Sequence, residues 1–368
     1  MIPVCEPLVT ARDMELVNDA LASGWISSAG KYLDLFEERW AAYCGMPFGI
    51  AVSNGSTALD IAVNLLGLEA GDEVIMPTFT IISPAQSVVR GGGKPVLVDS
   101  DPITWQMDTS QIESKITSRT RAIVVVHIYG HPADMDPIMA LAEKYSLTVI
   151  EDAAEVHGAT YKGRPCGSIG HISTFSFYAN KLVTTGEGGM VLVKSREHAE
   201  RARSLRNLCF QLSRRFYHES LGYNYRMTNL QAAMGVGQLE RLHDTIDRKR
   251  DIAHAYNASF AEIPAVQLPV EMPWAHAVYW VYGIVLTDER SEDAVRVMAL
   301  MRERGVETRP FFLGMHEQPV FNRMGLFCDE RYPVAERLAR RGVYIPNGLT
   351  MTAGQLSLVA DAVKECLS

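Results

Sequence analysis

Nothing in this chain points to a disulfide scaffold or a thiolate metal site. Its six cysteines, Cys5, Cys44, Cys166, Cys209, Cys328 and Cys366, are scattered, and none forms a CxxC pair. Zinc-ribbon and dithiol-redox classes are therefore excluded, and a reducing cytoplasm is the expected setting. Long apolar runs are also missing: stretches such as AIVVV at 122–126 are far too short to cross a bilayer. The start, MIPVCEPLVTARDME, has no basic region followed by an apolar one, so no signal peptide is read. Positive charge is in deficit, with 35 Lys plus Arg against 43 Asp plus Glu and a formal net charge of -8. That argues against sequence-wide nucleic-acid binding and says nothing against a local pocket for an anion. The glycine fingerprints of dinucleotide and P-loop folds are absent, which removes a nicotinamide-dependent dehydrogenase. No internal repeat and no Ser/Gly linker is visible.

What is present is an ordinary globular composition, 47% hydrophobic and 21% charged over 368 residues, enough for a large α/β unit plus a smaller one. From about residue 48, short apolar runs alternate with helical patterns. The runs are GIAV (49–52), EVIMP (73–77), PVLV (95–98), AIVVV (122–126) and LTVIE (147–151). Between them lie STALDIAVNLLGL, IISPAQSVVRGG, SQIESKI and MDPIMALAEKY. Continuous apolar strands separated by helices predict a parallel sheet covered on both faces. HISTFSF and MVLVK add two strands, and an amphipathic helix is predicted from about Asn229 to Tyr256, linking two domains. Beyond it VYWVYGIVL (278–286) and VETRP read as strands, and SEDAVRVMALMRERG and YPVAERLARRG as helices, a smaller α+β unit. The expected division is a large domain with an N-terminal arm over 1–245 and a small domain over 246–368.

Ligands of open parallel sheets bind beyond the carboxyl ends of the strands, so the loops there carry the functional reading. AVSNGSTAL (51–59) takes a strand into a helix through Asn54-Gly55-Ser56-Thr57. It suits either a plain helix cap or a seat for phosphate on a helix N-terminus. In VIEDAAEVHG (149–158), Asp152 follows an apolar strand. It is either a helix-capping residue or a half-desolvated carboxylate that needs a cation, such as a protonated ring nitrogen. Ala153 and Ala154 leave room for a flat ring; His157 is either a partner of Asp152 or an ordinary loop residue. In TFSFYANKLVTTGEGG (174–189), Ser176 precedes Lys181 by five positions. Lys181 is either a surface lysine or a desolvated amine able to form a Schiff base. GYNYRMTNLQAA (222–233), with Asn224, Tyr225 and Arg226, reads as a helix entry, a second phosphate contact or a subunit interface. A phosphate seat, a carboxylate for a ring nitrogen and an imine-forming lysine together describe pyridoxal 5′-phosphate. The lysine would then also shuttle a proton.

These stretches resemble the DegT/DnrJ-type sugar-nucleotide aminotransferases, closest to their perosamine synthase branch. The resemblance rests on GWISSAG (24–30), SNGSTAL (53–59), GDEVIMPTFT (71–80), HIYGHPADMD (127–136), VIEDAAEVHGATYKG (149–163), TFSF (174–177), NKLVTTGEGG (180–189), GYNYRMTNLQAAMG (222–235) and ETRPFF (307–312). It spans nearly the whole chain. It implies an aspartate-aminotransferase-like (fold type I) α/β large domain with a mostly parallel sheet, a smaller C-terminal α+β domain, and a homodimer with shared active sites. It implies that Lys181 forms the internal aldimine and that Asp152 pairs with the pyridine nitrogen. Ser56, Thr57 and Ser176 would hold the phosphate, with Asn224 reaching in from the neighbouring subunit, and Glu155 would lie near the phenolic oxygen. Arg309 and His316, in RPFFLGMH, and Trp25 and Ser27 fall where the family places substrate-facing residues. No metal is implied.

Two departures are visible, at Ile81 and in RPFFLGMHEQP, which differs from the family's more usual run there. The position after PTFT, where the family commonly carries an aromatic that stacks on the cofactor, is Ile81, so an aliphatic contact is expected. Relatives that dehydrate sugars carry histidine at the position of Lys181, which argues against that chemistry here. The implied activity is ping-pong transfer of an amino group from L-glutamate to a GDP-linked 4-keto-6-deoxy-hexose, in the cytoplasm, for lipopolysaccharide O-antigen. The competing expectations are the same chemistry on a keto nonulosonic or octulosonic acid sugar or another nucleotide ketosugar, and a cofactor-binding regulatory protein without turnover.

Overall fold

The computed structural model describes residues 1–211, 214, 216–287 and 293–367. The apolar runs of the first two-thirds form one sheet: β1 (Phe48–Val52), β2 (Glu73–Pro77), β3 (Lys94–Val98), β4 (Thr120–Val126), β5 (Thr148–Asp152), β8 (Ile172–Ser176) and β9 (Gly189–Val193). The short strands β6 (Thr160–Tyr161) and β7 (Arg164–Pro165) lie outside it, in a three-stranded sheet with β11 (Ala275–His276). The large sheet has the order β1-β9-β8-β5-β4-β2-β3. Its pairs are parallel from β3 to β8, while β9 runs antiparallel between β8 and β1. Alternate residues feed two cores: Val74, Val124 and Ile150 one, Ile75, Ile123 and Val149 the other. That two-sided burial is why these strands read as unbroken apolar runs. Helices α3 (Gly55–Asn64), α4 (Ser83–Arg90) and α5 (Met135–Tyr145) fall on predicted segments, whereas SQIESKI makes only 3₁₀ turns at Thr109–Gln111 and Glu113–Lys115.

Helices α1 (Ala11–Ala22), α2 (Lys31–Tyr43) and α6 (Arg196–Arg206) went unread in the sequence, along with two helices of the C-terminal part, at Pro319–Arg323 and Ala353–Leu367. α1 and α2 pack on α7 (Asn229–Glu240), whose Gly235 and Gly237 let Phe36 and Asp13 come close. The single helix expected over 229–256 is in fact two, α7 and α8 (Leu242–Phe260), broken at Arg241 with φ -117 and ψ 17. The break has a tertiary cause. The Arg241 guanidinium donates to the Leu8 carbonyl at 2.5 Å and to the buried Asp13 carboxylate at 3.2 Å.

The C-terminal part is a four-stranded sheet, β10 (Val266–Gln267), β12 (Tyr282–Leu286), β14 (Gly342–Ile345) and β13 (Arg309–Pro310), in that order and antiparallel. Helices α9 (Ala294–Glu303), α10 (Pro319–Arg323), α11 (Pro333–Arg341) and α12 (Ala353–Leu367) accompany it. Ser291 and Glu292, where the predicted helix begins, lie outside the described residues. The strand expected from 278 starts only at Tyr282, because Tyr279 is held at φ 46. Leu242 and Ile246 belong to the larger core and Ile252 onward to the smaller. The first residues also join the C-terminal part: Ile2 bridges Val306, and the Asn347 N–H donates to the Val4 carbonyl.

Arg241→Ala is expected to lower stability by about 2 kcal/mol, since it strips a cation from a buried carboxylate that keeps other donors. The urea midpoint measures it, and an unchanged midpoint would show that this ion pair does not hold the α7–α8 corner.

Candidate active site

The parallel run of the sheet brings the ends of β1, β4, β5 and β8 to one edge. A cavity of about 470 Å³ opens there, lined by Ser56, Asp152, Glu155, Ser176 and Lys181, together with Ile81 and Trp280. The edge is braced from behind. Glu151, fully buried, accepts N–H donors from Gly167, Ile169 and Gly170 and pairs with the His127 Nε2 at 3.1 Å. Because the Ala133 N–H donates to His127 Nδ1, Nε2 carries the proton toward Glu151.

One end of the cavity is built to receive an anion. Asn54 and Thr57 form a reciprocal capping box at the start of α3, which leaves the N–H groups of Gly55 and Ser56 for a ligand. The Ser56 and Ser83 hydroxyls lie 2.8 Å apart. A Cβ at position 55 would stand 2.7 Å from the Ser176 Cβ, so glycine is what lets the helix start meet β8.

The other end is built for charge. Asp152 is buried, its pKa raised by desolvation, and among the described residues its carboxylate has one hydrogen bond, from the Ala154 N–H at 3.2 Å. Glu155 is pushed up to about 7, first by burial, although it accepts the Tyr129 N–H at 2.7 Å. Lys181 goes the other way: burial of its ammonium lowers its pKa, and Glu155 and Asp152 oppose that. Its Nζ makes no hydrogen bond among the described residues and lies 3.4 Å from the centroid of the Trp280 indole. These residues fit pyridoxal 5′-phosphate. A thinly partnered buried carboxylate suits a ring nitrogen's charge, hydroxyls and a helix start suit a phosphate, and a lysine amine without a hydrogen bond among the described residues lines the same cavity.

Ser56, Asp152, Glu155, Ser176 and Lys181 are thus brought together, and Ile81, exposed, lines the same cavity. Other predicted residues lie elsewhere. The Thr57 hydroxyl is spent on the Asn54 carbonyl at 2.8 Å, inside the capping box. Trp25, Ser27 and Asn224 are exposed and outside this chain's cavity. Arg309 is exposed and paired with Glu307 at 2.5 Å. His316 is buried, with Nδ1 2.8 Å from the Thr78 hydroxyl and Nε2 3.3 Å from Glu336. Both ring nitrogens tie the β2 loop to α11 and none is left for a substrate. His157 does not touch Asp152; it accepts the Val183 N–H and packs among Trp40, Phe175 and Phe177. Sequence reasoning missed Ser83, Asn180, Trp280, Phe312 and Tyr344 in the cavity lining. Ser83, at the start of a predicted helix beside the cavity, was the one with a readable signal.

The profile described as the DegT/DnrJ/EryC1/StrS aminotransferase family matches residues 7–364. The chain is 40% identical over 368 residues to a GDP-perosamine synthase of Escherichia coli O157:H7, covering 100% of this chain and 99% of that one. It is 38% identical over 367 residues to a GDP-perosamine synthase of Caulobacter vibrioides, covering 100% and 98%. Among solved structures, S. venezuelae DesV in complex with a ketimine intermediate aligns with a TM-score of 0.90 at 33% identity, covering 96% of this chain and 94% of that one. The aminotransferase from Psychrobacter cryohalolentis aligns with a TM-score of 0.92 at 31% identity, covering 98% and 97%.

The Glu155 carboxyl yields a pH prediction. Burial pushes it up to about 7, above the ordinary carboxylate 4.5, so between these values the folded state holds a proton that the unfolded state has lost. Its contribution is full below the unfolded pKa and is lost as pH rises through about 7. In cofactor-stripped protein, Glu155→Gln should therefore gain stability relative to the wild type between pH 5 and 8, by denaturant titration at each pH. A constant difference across that window would contradict the assignment.

Proposed function

Since this chain belongs to the DegT/DnrJ/EryC1/StrS aminotransferase family, we propose that it moves the amino group of L-glutamate onto the keto carbon of a GDP-linked 4-keto-6-deoxy-hexose. The chain is a pyridoxal 5′-phosphate-dependent aminotransferase of fold type I. The observation that carries the reading is the meeting of Lys181, Asp152 and the serine-lined start of α3 in one cavity. Full-length likeness to the two GDP-perosamine synthases supports the choice of sugar nucleotide.

When bound, pyridoxal 5′-phosphate supplies an aldehyde that joins amines covalently and a protonated ring that takes up the electron pair of a carbon acid. Lys181 would carry it. Its lowered pKa would make Nζ a readier acceptor for a proton from the amino acid's α carbon, which it would then return. Asp152 would hold the ring nitrogen in its cationic form, which offsets the cost of burying that carboxylate. Ser56, Ser176 and the N–H groups of α3 would hold the phosphate, as Thr57 does indirectly through the capping box. Glu155, titrating near neutrality, can donate or accept a hydrogen bond at the phenolic oxygen. Trp280 and Phe312 wall off water.

The homodimer belongs to the same proposal. Among the described residues the cavity is lined by Asp152, Glu155 and Glu187 against one cation, Lys181, while its proposed substrates carry a diphosphate and two carboxylates. Cations must come from elsewhere. The exposed segment with Asn224 and the exposed loop with Trp25 and Ser27 are proposed to complete the cavity of a second copy, and Arg309 to meet substrate at its rim. Exposed Trp25, Ile26, Tyr217 and Leu221 supply apolar surface for that contact. No described helix is long and apolar enough to cross a membrane. A cytoplasmic setting and a part in O-antigen assembly complete the proposal.

Borohydride treatment of the cofactor-saturated chain should label the peptide containing Lys181. Lys181→Ala should lower turnover by about 10³-fold or more while the fold is kept. Retained turnover would sink the assignment. Turnover on GDP-linked ketosugar should exceed turnover on the dTDP-linked analogue and on a free keto-acid sugar, and the reverse order would redirect the substrate.

A further inference from the structure

Trp280 lies in a run read only as a strand, yet its indole faces the Lys181 ammonium, 3.4 Å from Nζ to the ring centroid. The ring is fixed at its edge, since its Nε1 donates to the Asn180 carbonyl at 2.8 Å. Its backbone is fixed from the C-terminal side. The buried Lys249 on α8 donates to the Trp280 carbonyl at 3.0 Å, to the Asn347 carbonyl at 2.8 Å and to Asn347 Oδ1 at 3.1 Å. Asn347 Nδ2 donates to the carbonyls of Tyr279 at 2.9 Å and Trp280 at 3.3 Å. The preceding Tyr279 is left-handed, φ 46. The segment presses so closely on Gly130 (φ +99) that a Cβ there would stand 2.4 Å from the Trp280 N. A left-handed tyrosine, a buried lysine satisfied wholly by carbonyl oxygens and a glycine with no room for a side chain all serve one outcome: the place of this indole.

We propose that Trp280 is a positioning residue for Lys181, an aromatic wall held by Lys249 and Asn347 that fixes the ε-nitrogen at the cavity mouth and favours its cationic form. An indole face attracts a cation, so the wall works with the carboxylates and against desolvation. The groups facing Lys181 are Asp152 on β5, Glu155 and His157 after it, Glu187 on the glycine-rich turn, and Tyr344 on β14. Cys5 of the N-terminal arm lies against Asn180, and Lys249 is bonded to the Trp280 carbonyl. The proposal rests on Lys181 being the cofactor's lysine and adds what sets the behaviour of its nitrogen.

The test is a pH titration of the visible absorbance of the cofactor-loaded chain, which follows protonation at the Lys181 nitrogen. Trp280→Leu should lower the midpoint by about half a unit to one unit. Trp280→Phe, the variant closer to the native shape, should move it the same way by less than half as much. Lys249→Met should also lower it, through loosening of the indole. Borohydride labelling of the wild-type Lys181 peptide runs alongside. Labelled wild type with an unmoved midpoint in Trp280→Leu, or in Trp280→Phe should the leucine variant not fold, overturns this inference alone. An unmoved midpoint in Lys249→Met overturns the anchoring by Lys249. An unlabelled wild type overturns the proposed function and this inference together.

Discussion

Burying ionised groups at the carboxyl edge of a parallel sheet is the constraint from which the rest of the site follows. Asp152, Glu155 and Lys181 all lose water there, and desolvation is the first cause of each one's shifted pKa. Raising two acids toward neutrality and lowering an amine narrows the gap between them. Groups drawn closer in proton affinity suit a reaction that takes a proton from carbon and later puts one back. The cost of the arrangement is carried by the rigid frame behind it, where Glu151 binds three backbone N–H groups and His127.

Both units of the chain contribute to that edge. The large sheet provides the acids, the lysine loop and the helix start. The C-terminal part reaches over with Trp280, Phe312 and Tyr344. His316 fastens the same parts together from the side, bonded to Thr78 and Glu336. It lies on the segment where the resemblance implied a substrate contact, yet its two nitrogens are used up in joining elements. A residue's place in a motif shows which segment it is on, whereas its neighbours decide what its donors and acceptors are free to do.

Much of the site was legible before the fold because its chemistry is local. Asp152 ends β5, Ser176 ends β8, and Gly55-Ser56-Thr57 starts α3, so each role attaches to a short motif beside a strand end. Trp280 had no such signal. Its position depends on Lys249, Asn347 and Gly130, which are far from it in sequence and become neighbours only when the C-terminal sheet docks. The same applies to the α7–α8 break. The periodicity from 229 to 256 suits one helix, and the residue at its break, Arg241, is bound to the carbonyl of Leu8 and the carboxylate of Asp13, more than 200 positions away.

By itself, the order of residues determined the strand and helix alternation of the large unit, the parallel sheet with its ligand-bearing edge, and the pairing of a lysine with an aspartate near a helix start. Period, burial on two faces and capping chemistry act over a few residues and so leave a trace in the chain. Tertiary structure alone decided which hydroxyl faces the cavity and which serves a cap, that His316 and His157 are spent on packing, and that an indole lies over the Lys181 amine. Those outcomes depend on which distant groups compete for the same hydrogen bond or the same space, and that competition begins only when the chain is folded.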